Sequence, residues 1–408
     1  MRILQINTAD TKGGAGKVAY QLQKELHKIG HDSTLLVSRK YAKDDKNVVL
    51  IRPESNLRRR ILKKLTYYLA NDLDLFWSNN ILKTPEFQQA DIVHCHNLHT
   101  NYFNLATLEK ISKLKPIVWT FHDMWPITAH CAHSFDGKIK ENGFFTCPSL
   151  DIYPPIAWHN EKYLESKKRK TYENSNFHIV VPSLWLKNKV ENSLLASRPI
   201  TLIYNGIDTT IFKPLNKQEC RNELGLPQDK KIILFLAKRG RSNPWKGGAY
   251  AEDALNGVKN RSDIFILDIG GDENKTIGNR KFVSFVNDEK TLAKYYAASD
   301  IFLYTSLADN CPLVALEAQA CGLPVVSFAT GGIPELVDHQ KTGYIARYKD
   351  ADDLISGVRW MLSRSSTEYA TMREAAIAKI HSGFTLDRMT EQYLELYKQK
   401  IKLKFYNK

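Results

Sequence analysis

Short β-rich runs alternate with helix-length stretches along nearly the whole chain, and they do so in two series. The first series holds "MRILQIN", "STLLVS", "ADIVHCHN" and "KPIVWTFHD"; after about residue 200 come "KIILFLAK", "DIFILDIGG", "KFVSFV", "DIFLYTS" and "LPVVSF". Strand–helix alternation of this kind builds parallel sheets covered by helices on both faces. A chain of 408 residues exceeds one ordinary core. Two doubly wound α/β domains in series are therefore expected, residues 1–200 and 201–385, joined near "RPITLIYNGIDTTIFKP". Ligands of such sheets bind past the carboxyl ends of the strands, so two facing sheets would make one cleft.

Composition excludes several classes. At 43% hydrophobic and 25% charged residues the chain is globular rather than disordered or fibrous. No apolar run reaches the roughly 18–20 residues that span a bilayer, and "MRILQINTAD" reads as a strand, not a signal peptide. A cytoplasmic protein is expected. The six cysteines are scattered, which suits reduced thiols better than a disulfide framework. The formal charge of +14 points to an acidic partner. Part of it lies in "NLRRRILKKLTYYLANDLDLFW", where Arg58, Arg59, Arg60, Lys63 and Lys64 alternate with apolar and aromatic residues at helical spacing. Either this is a surface helix with a core-facing stripe, or its cations meet an anionic membrane surface at the inner face of the cell membrane. No nucleic-acid-binding module accompanies it.

Three loops follow strands and carry chemistry. "GGAG" (Gly13, Gly14, Gly16) opens the first helix, whose face is marked by Val18, Leu22, Leu26 and Ile29 and whose stop is Gly30. It is either a tight turn for close strand–helix packing or a set of backbone amides facing an anion. It matches neither the dinucleotide fingerprint nor a P-loop. "SNPWKGGAY" places Lys246 after "IILFLAK", with Arg239 and Arg241 just upstream, a set suited to neutralising a diphosphate. In "DNCPLVALE", Asp309 and Glu317 stand eight positions apart. A helix beginning in its second half leaves Asp309 in the loop before it and Glu317 on an inner turn. The bland reading is a helix cap and a solvated glutamate. A further glycine turn, Gly331–Gly332 in "ATGGIPELV", lets backbone approach a ligand closely.

Together, "GGAGKVAYQL", "DIVHCHN", "TFHDMW", "YNGID", "SNPWKG", "DNCPLVALEAQACGLPVV", "GGIPELV" and "EQYLELY" resemble the retaining glycosyltransferases of family GT4, in order and over nearly the whole chain. The stretch from "HDMWPITAHCAHSF" to "CPSLDIYP" is similar to a branch building bacterial exopolysaccharide and other surface polysaccharide. The resemblance implies a GT-B fold, two Rossmann-like domains facing across a cleft, with residues 386–408 a helix crossing back to the N-terminal domain. It also implies that the N-terminal domain binds acceptor and the C-terminal domain a nucleotide-sugar donor. "DNCPLVALE" corresponds to the family's E-x7-E motif with Asp309 in place of the first glutamate. Glu317 would then hydrogen-bond the ribose, and Asp309 the sugar hydroxyls, with one methylene less reach. The amides around Asn310, Cys311, Pro312, Leu313 and Val314 would cradle the diphosphate or sugar.

Lys246 matches the lysine that binds the donor phosphates; the usual arginine position is Gly240, so Arg239 or Arg241 takes its place. Gly13 and Gly14 fall on the donor side. His122 matches the histidine near the reaction centre, or is a hydrogen-bonded core histidine; Gly16, Asp123, Trp125 and His130 fall on the acceptor side. The implied reaction moves a sugar from a nucleotide diphosphate to an acceptor hydroxyl, a growing and lipid-linked glycan, with anomeric retention. It needs no protein nucleophile, cofactor or metal. His130, Cys131, His133 and Cys147 are spaced irregularly for zinc, and the cysteines are expected as loop thiols. A sugar-nucleotide epimerase of the same fold, or a non-catalytic donor-binding subunit, remain the alternatives.

Overall fold

The computed structural model describes residues 1–51, 56–76, 78–237, 244–258 and 261–406. The chain divides into two compact units: Met1–Tyr204 together with Leu386–Lys408, and Asn205–Thr385. Each is a doubly wound α/β unit.

The first unit holds strands β1 (Arg2–Ala9), β2 (Asp32–Arg39), β3 (Val48–Leu50), β4 (Ile92–Cys95), β5 (Ile117–Thr120), β6 (His178–Val181) and β7 (Ile200–Leu202). They pair in parallel in the order β3-β2-β1-β4-β5-β6-β7. Every residue of β4, β5 and β6 is buried, because helices cover both faces. The strand order reverses between β1 and β4, so the loops after these strands frame the place where such a sheet takes ligands. Helix Gly14–Lys28 buries Val18, Leu22 and Leu26, whereas Ile29 caps the end and is 49% exposed. Gly30 stops the helix at φ 81°, and His31 N–H donates back to the Leu26 carbonyl at 2.9 Å. The last helix, Leu386–Tyr406, belongs to this unit: Tyr393 Oη pairs with Thr120 Oγ1 (2.8 Å) and Tyr397 Oη with His94 Nδ1 (2.6 Å).

The second unit holds β8 (Lys231–Leu236), β9 (Ile264–Gly271), β10 (Lys275–Ile277), β11 (Arg280–Ser284), β12 (Ile301–Tyr304), β13 (Val325–Phe328) and β14 (Gly343–Ala346), in the order β10-β11-β9-β8-β12-β13-β14. All pairs are parallel except the edge pair β10–β11, which departs from the expected parallel sheet. The switch here lies between β8 and β12, the strands that lead to Lys246 and Asp309.

Two expectations are corrected. Cys131 and Cys147 are joined in a disulfide, Cα atoms 5.9 Å apart, rather than being loop thiols. The irregular segment between them folds back on itself, with Phe145 bridging both Thr128 and Ile139. Cys95, Cys220, Cys311 and Cys321 are free and buried. Helix Asn56–Tyr68 turns only part of its apolar set inward: among its described side chains Leu62 is half-buried and Thr66 buried, whereas Leu57, Ile61, Leu65 and Tyr68 are 68%, 50%, 45% and 66% exposed.

Candidate active site

In the second unit, the loops after β8 and β12 are stitched together. Leu307 N–H donates to the Trp245 carbonyl (2.8 Å), and Thr305 Oγ1 to those of Lys246 (2.9 Å) and Gly247 (3.0 Å). Gly247 adopts φ 61°, and a Cβ there would stand 2.0 Å from the Thr305 carbonyl oxygen, so only glycine permits this approach. The stitching carries Lys246 Nζ to 2.8 Å from Asp309 Oδ2, an oxygen that also accepts from Tyr304 Oη at 2.5 Å. Asp309 Oδ1 accepts from the backbone N–H of Asn310 at 3.1 Å. Burial pushes the Asp309 carboxyl up, but the Lys246 ammonium and these hydrogen bonds outweigh it and hold it below the usual carboxylate range. Burial opposes the Lys246 charge, and Asp309 more than restores it, so the ammonium titrates above its ordinary value.

Helix Leu313–Ala320 starts from Pro312, so Asp309 lies in the loop before it and does not cap it. Glu317, in its second turn, is 2% exposed and accepts from Tyr296 Oη at 3.0 Å. Neither half of the bland reading, a cap and a solvated glutamate, describes these acids. Asn205 Nδ2 donates to the Cys311 carbonyl at 3.0 Å and pins the loop between them. Asn310, Cys311, Pro312 and Leu313 are buried, and Val314 is half-buried. The Gly331 turn approaches protein rather than open space. A Cβ at Gly331 would meet the Asp309 carbonyl oxygen at 1.8 Å, and Gly332 N–H donates to the Asn310 carbonyl at 2.9 Å. Arg239 and Arg241 lie outside the described residues.

In the first unit, His122 and Asp123 follow β5, and His96 follows β4. His122 Nε2 lies 2.9 Å from His96 Nδ1. Burial lowers His122 to about 4, Asp123 opposing and His99 assisting, so the ring is neutral at pH 7. Asp123 accepts from His99 Nε2 (3.0 Å) and from Trp125 N–H (2.9 Å). Burial raises its carboxyl, but His99 and these bonds bring it below the usual range. Trp125 and His130 are 1% and 0% exposed, and both anchor the loop from within. Lys168 Nζ sits 3.7 Å over the Trp125 ring and donates to the carbonyls of Trp125 (2.5 Å) and Thr128 (2.9 Å), while His130 Nδ1 donates to the Pro154 carbonyl at 3.0 Å.

The glycine turn resolves residue by residue. A Cβ at Gly13 or Gly14 meets nothing within 4 Å, whereas one at Gly16 would stand 2.5 Å from the Asp10 carbonyl oxygen. Gly16 thus serves helix–strand contact, and Gly13 and Gly14 leave the helix amides open. The turn rests on Asp10, fully buried, whose carboxylate accepts from the N–H groups of Thr11 (2.7 Å), Ala42 (2.7 Å) and Tyr41 (2.8 Å to one oxygen). Sequence reasoning missed Asp10, Tyr296 and Tyr304; an acid at the end of the first strand, three positions before Gly13, was the available signal for the first. Among the described residues no group of three or more His, Cys, Asp or Glu side chains could hold a metal ion, and no helix is long and apolar enough to cross a membrane.

Comparison with known proteins agrees with this division. Residues 216–379 match the family described as glycosyl transferases group 1, and residues 12–211 match glycosyltransferase family 4. A relative named for colanic acid biosynthesis as the glycosyl transferase WcaC, in Escherichia coli strain K12, is 26% identical over 362 residues, 84% of this chain and 86% of its own length. The sucrose-phosphate synthase of Thermosynechococcus elongatus superposes with a TM-score of 0.69 at 17% identity, covering 97% of this chain and 98% of that one. The HepE protein of Anabaena, solved in complex with UDP, superposes with a TM-score of 0.68 at 16% identity, covering 98% and 100%. The fold is GT-B, and the chain belongs to the GT4 type of group 1 glycosyltransferases.

Proposed function

We propose that this chain is a retaining, metal-independent glycosyltransferase. It would move a sugar from a nucleotide-diphosphate sugar to a hydroxyl of a lipid-linked glycan during bacterial surface polysaccharide synthesis. The observation that carries the reading is the Lys246–Asp309 pair at the mouth of helix Leu313–Ala320, with Glu317 buried in the second turn of that helix. A cation beside a bundle of helix amides is suited to a diphosphate. A buried carboxylate such as Glu317, which accepts from Tyr296, is also suited to accept from a ribose hydroxyl. When donor binds, Lys246 exchanges Asp309 for the diphosphate, and Asp309 turns to the sugar hydroxyls. The glycosidic C–O bond breaks with its electron pair passing to the phosphate. The acceptor oxygen bonds to the same face, and its proton passes to the departing phosphate. Lys246 and the amides at the start of helix Leu313–Ala320 stabilise the charge that develops. That the HepE protein of the same fold was solved with UDP and with UDP-glucose favours a nucleotide-sugar donor.

Calorimetric titration against a panel of nucleoside diphosphates, on the wild type and on Glu317→Ala, tests this. One nucleotide should bind and weaken at least about tenfold in the variant, the worth of a hydrogen bond to a buried charge. If no nucleotide binds, the reading fails.

The acceptor's lipid would hold it at a membrane, and helix Asn56–Tyr68 supplies a surface for one. Leu57, Ile61, Leu65 and Tyr68 form one exposed stripe, flanked by the exposed cations Arg58, Arg60, Lys63 and Lys64; the Arg59 side chain lies outside the described residues. Trp158, 48% exposed, joins it by donating to the Tyr68 carbonyl at 2.9 Å. Such a face suits an anionic bilayer. Co-sedimentation with phosphatidylglycerol vesicles should be lost when the four cations become glutamine; unchanged binding would remove the membrane from the proposal.

A further inference from the structure

A file of hydrogen bonds crosses the first sheet from β2 to the loop after β5. Gln5, fully buried in β1, pairs in register with Leu35 of β2 and His94 of β4. Its Nε2 donates to Ser33 Oγ at 3.0 Å, and its Oε1 lies 2.9 Å from His96 Nε2. An amide oxygen only accepts, so His96 Nε2 carries a hydrogen. A neutral imidazole has one N–H, which leaves His96 Nδ1 with a lone pair. His122 Nε2, 2.9 Å away, must then be the donor. The His122 hydrogen therefore sits on Nε2, and Nδ1 is its acceptor.

The file has no slack. His96 is 1% exposed, and its ring lies 4.0 Å from that of His94, centroid to centroid. Its backbone N–H donates to the Ile6 carbonyl (2.9 Å), and its carbonyl accepts from Trp119 Nε1 (2.8 Å). Burial depresses both His96 and His122, so each carries a single hydrogen at pH 7. A second proton on His96 would set N–H against N–H.

We propose that Gln5 fixes the tautomer of His122 through His96, so that His122 Nδ1 meets a substrate hydroxyl as an acceptor. Gln5 and His96 are positioning residues. The role of His122 toward the substrate rests on the transferase reading; its tautomer does not. If Gln5 lost its acceptor, the hydrogen on His96 could move to Nδ1. His122 Nε2 would then accept, and the His122 hydrogen would move to Nδ1, where it would oppose the hydroxyl it is meant to receive.

The experiment is long-range 15N–1H correlation on protein labelled in histidine nitrogen, with the His122 signals identified by their loss in His122→Asn. Wild type and Gln5→Glu, which keeps an accepting oxygen, should both show hydrogen on Nε2. Gln5→Met should move it wholly or partly to Nδ1. In turnover, Gln5→Met should lower kcat about tenfold to hundredfold, the range of one hydrogen bond to a transition state, with donor KM within about threefold and recovery in Gln5→Glu. Hydrogen on His122 Nδ1 in the wild type would overturn the proposal, since a Gln5 amide turned end for end reverses every donor in the file. So would an unchanged tautomer in Gln5→Met. Should that variant not fold, Ser33→Ala, which releases the amide to turn, is read the same way. The spectra need no substrate, so failure of nucleotide binding would refute the transferase reading and leave the tautomer assignment standing.

Discussion

Replacing Asp309 by asparagine separates two roles that its carboxylate holds in turn. Without donor it occupies Lys246 at 2.8 Å; with donor, on the proposed reading, it receives sugar hydroxyls. A hydrogen bond between charged groups contributes about 1.5–3 kcal/mol when shielded. Here the two side chains are 28% and 24% exposed, so solvent reduces the pair to about 1 kcal/mol. On that reading, breaking the pair is part of the cost of binding a diphosphate. Asp309→Asn removes that part, because an amide holds an ammonium far less firmly and still accepts from Tyr304. The free nucleoside diphosphate should therefore bind about fivefold more tightly to the variant, from about 1 kcal/mol, while sugar transfer falls. Calorimetry with the diphosphate gives the first quantity and turnover with the diphosphate sugar the second. Weaker binding of the diphosphate would refute the exchange of Lys246 between carboxylate and phosphate.

The same pair sets a pH window. The folded-state carboxyl of Asp309 lies below its unfolded value, so its stabilisation is present above about pH 4 and lost as pH falls through the folded value. Lys246 is raised, so its share is present below about pH 10 and lost as pH rises through the folded value. The stability difference between wild type and Asp309→Asn should thus stay flat from about pH 5 to 9 in urea titrations.

Lys168 behaves in the opposite sense. Burial brings its ammonium down to about 7, below its unfolded range, so the unfolded chain binds more protons above that pH and stability rises with pH. Relative to Lys168→Met, the wild type should gain up to about 1.4 kcal/mol per pH unit between about pH 7 and 10 in urea titrations; a slope of opposite sign would refute the neutral folded amine. Gly16→Ala must displace the Asp10 carbonyl from a 2.5 Å contact, and overpacking of this order costs about 1–3 kcal/mol. Thermal unfolding should show a lowered midpoint, whereas Gly14→Ala, which meets nothing within 4 Å, should leave it near the wild-type value.

What the sequence disclosed depends on burial. Strands β4, β5, β12 and β13 are buried at every residue and read as largely apolar runs, broken only by His94, Thr120 and Ser327. The edge strand β10, exposed at all three residues, has no such signature and was not anticipated. Within "DNCPLVALE", the spacing disclosed a loop acid and a helix acid, because that is local geometry. The ion pair of Asp309 with Lys246 was not legible: it joins residues 63 positions apart and exists because β8 and β12 are neighbours. The contacts that hold Trp125 and His130 were not legible either: Lys168 on the Trp125 carbonyl and the Pro154 carbonyl on His130 come from segments 43 and 24 positions away. The Cys131–Cys147 bridge was hidden for the same reason, since the segment between the two cysteines has no periodic pattern from which its path could be read.

The last helix has a consequence for the order in which the protein is made. Unit Asn205–Thr385 is continuous and interrupts the other, which is complete only with Leu386 onward. Its central strands present His94 and Thr120 to Tyr397 and Tyr393. Until the ribosome has passed residue 397, those buried groups have each other but lack their tyrosine partners, and the face that the helix covers is bare. The second unit can finish folding while the first, begun earlier, still waits for its final element. Synthesis from the N-terminus thus leaves the earlier-made sheet as the later-completed one, and a chain stopped short of Tyr393 would release a folded second unit tethered to an open first.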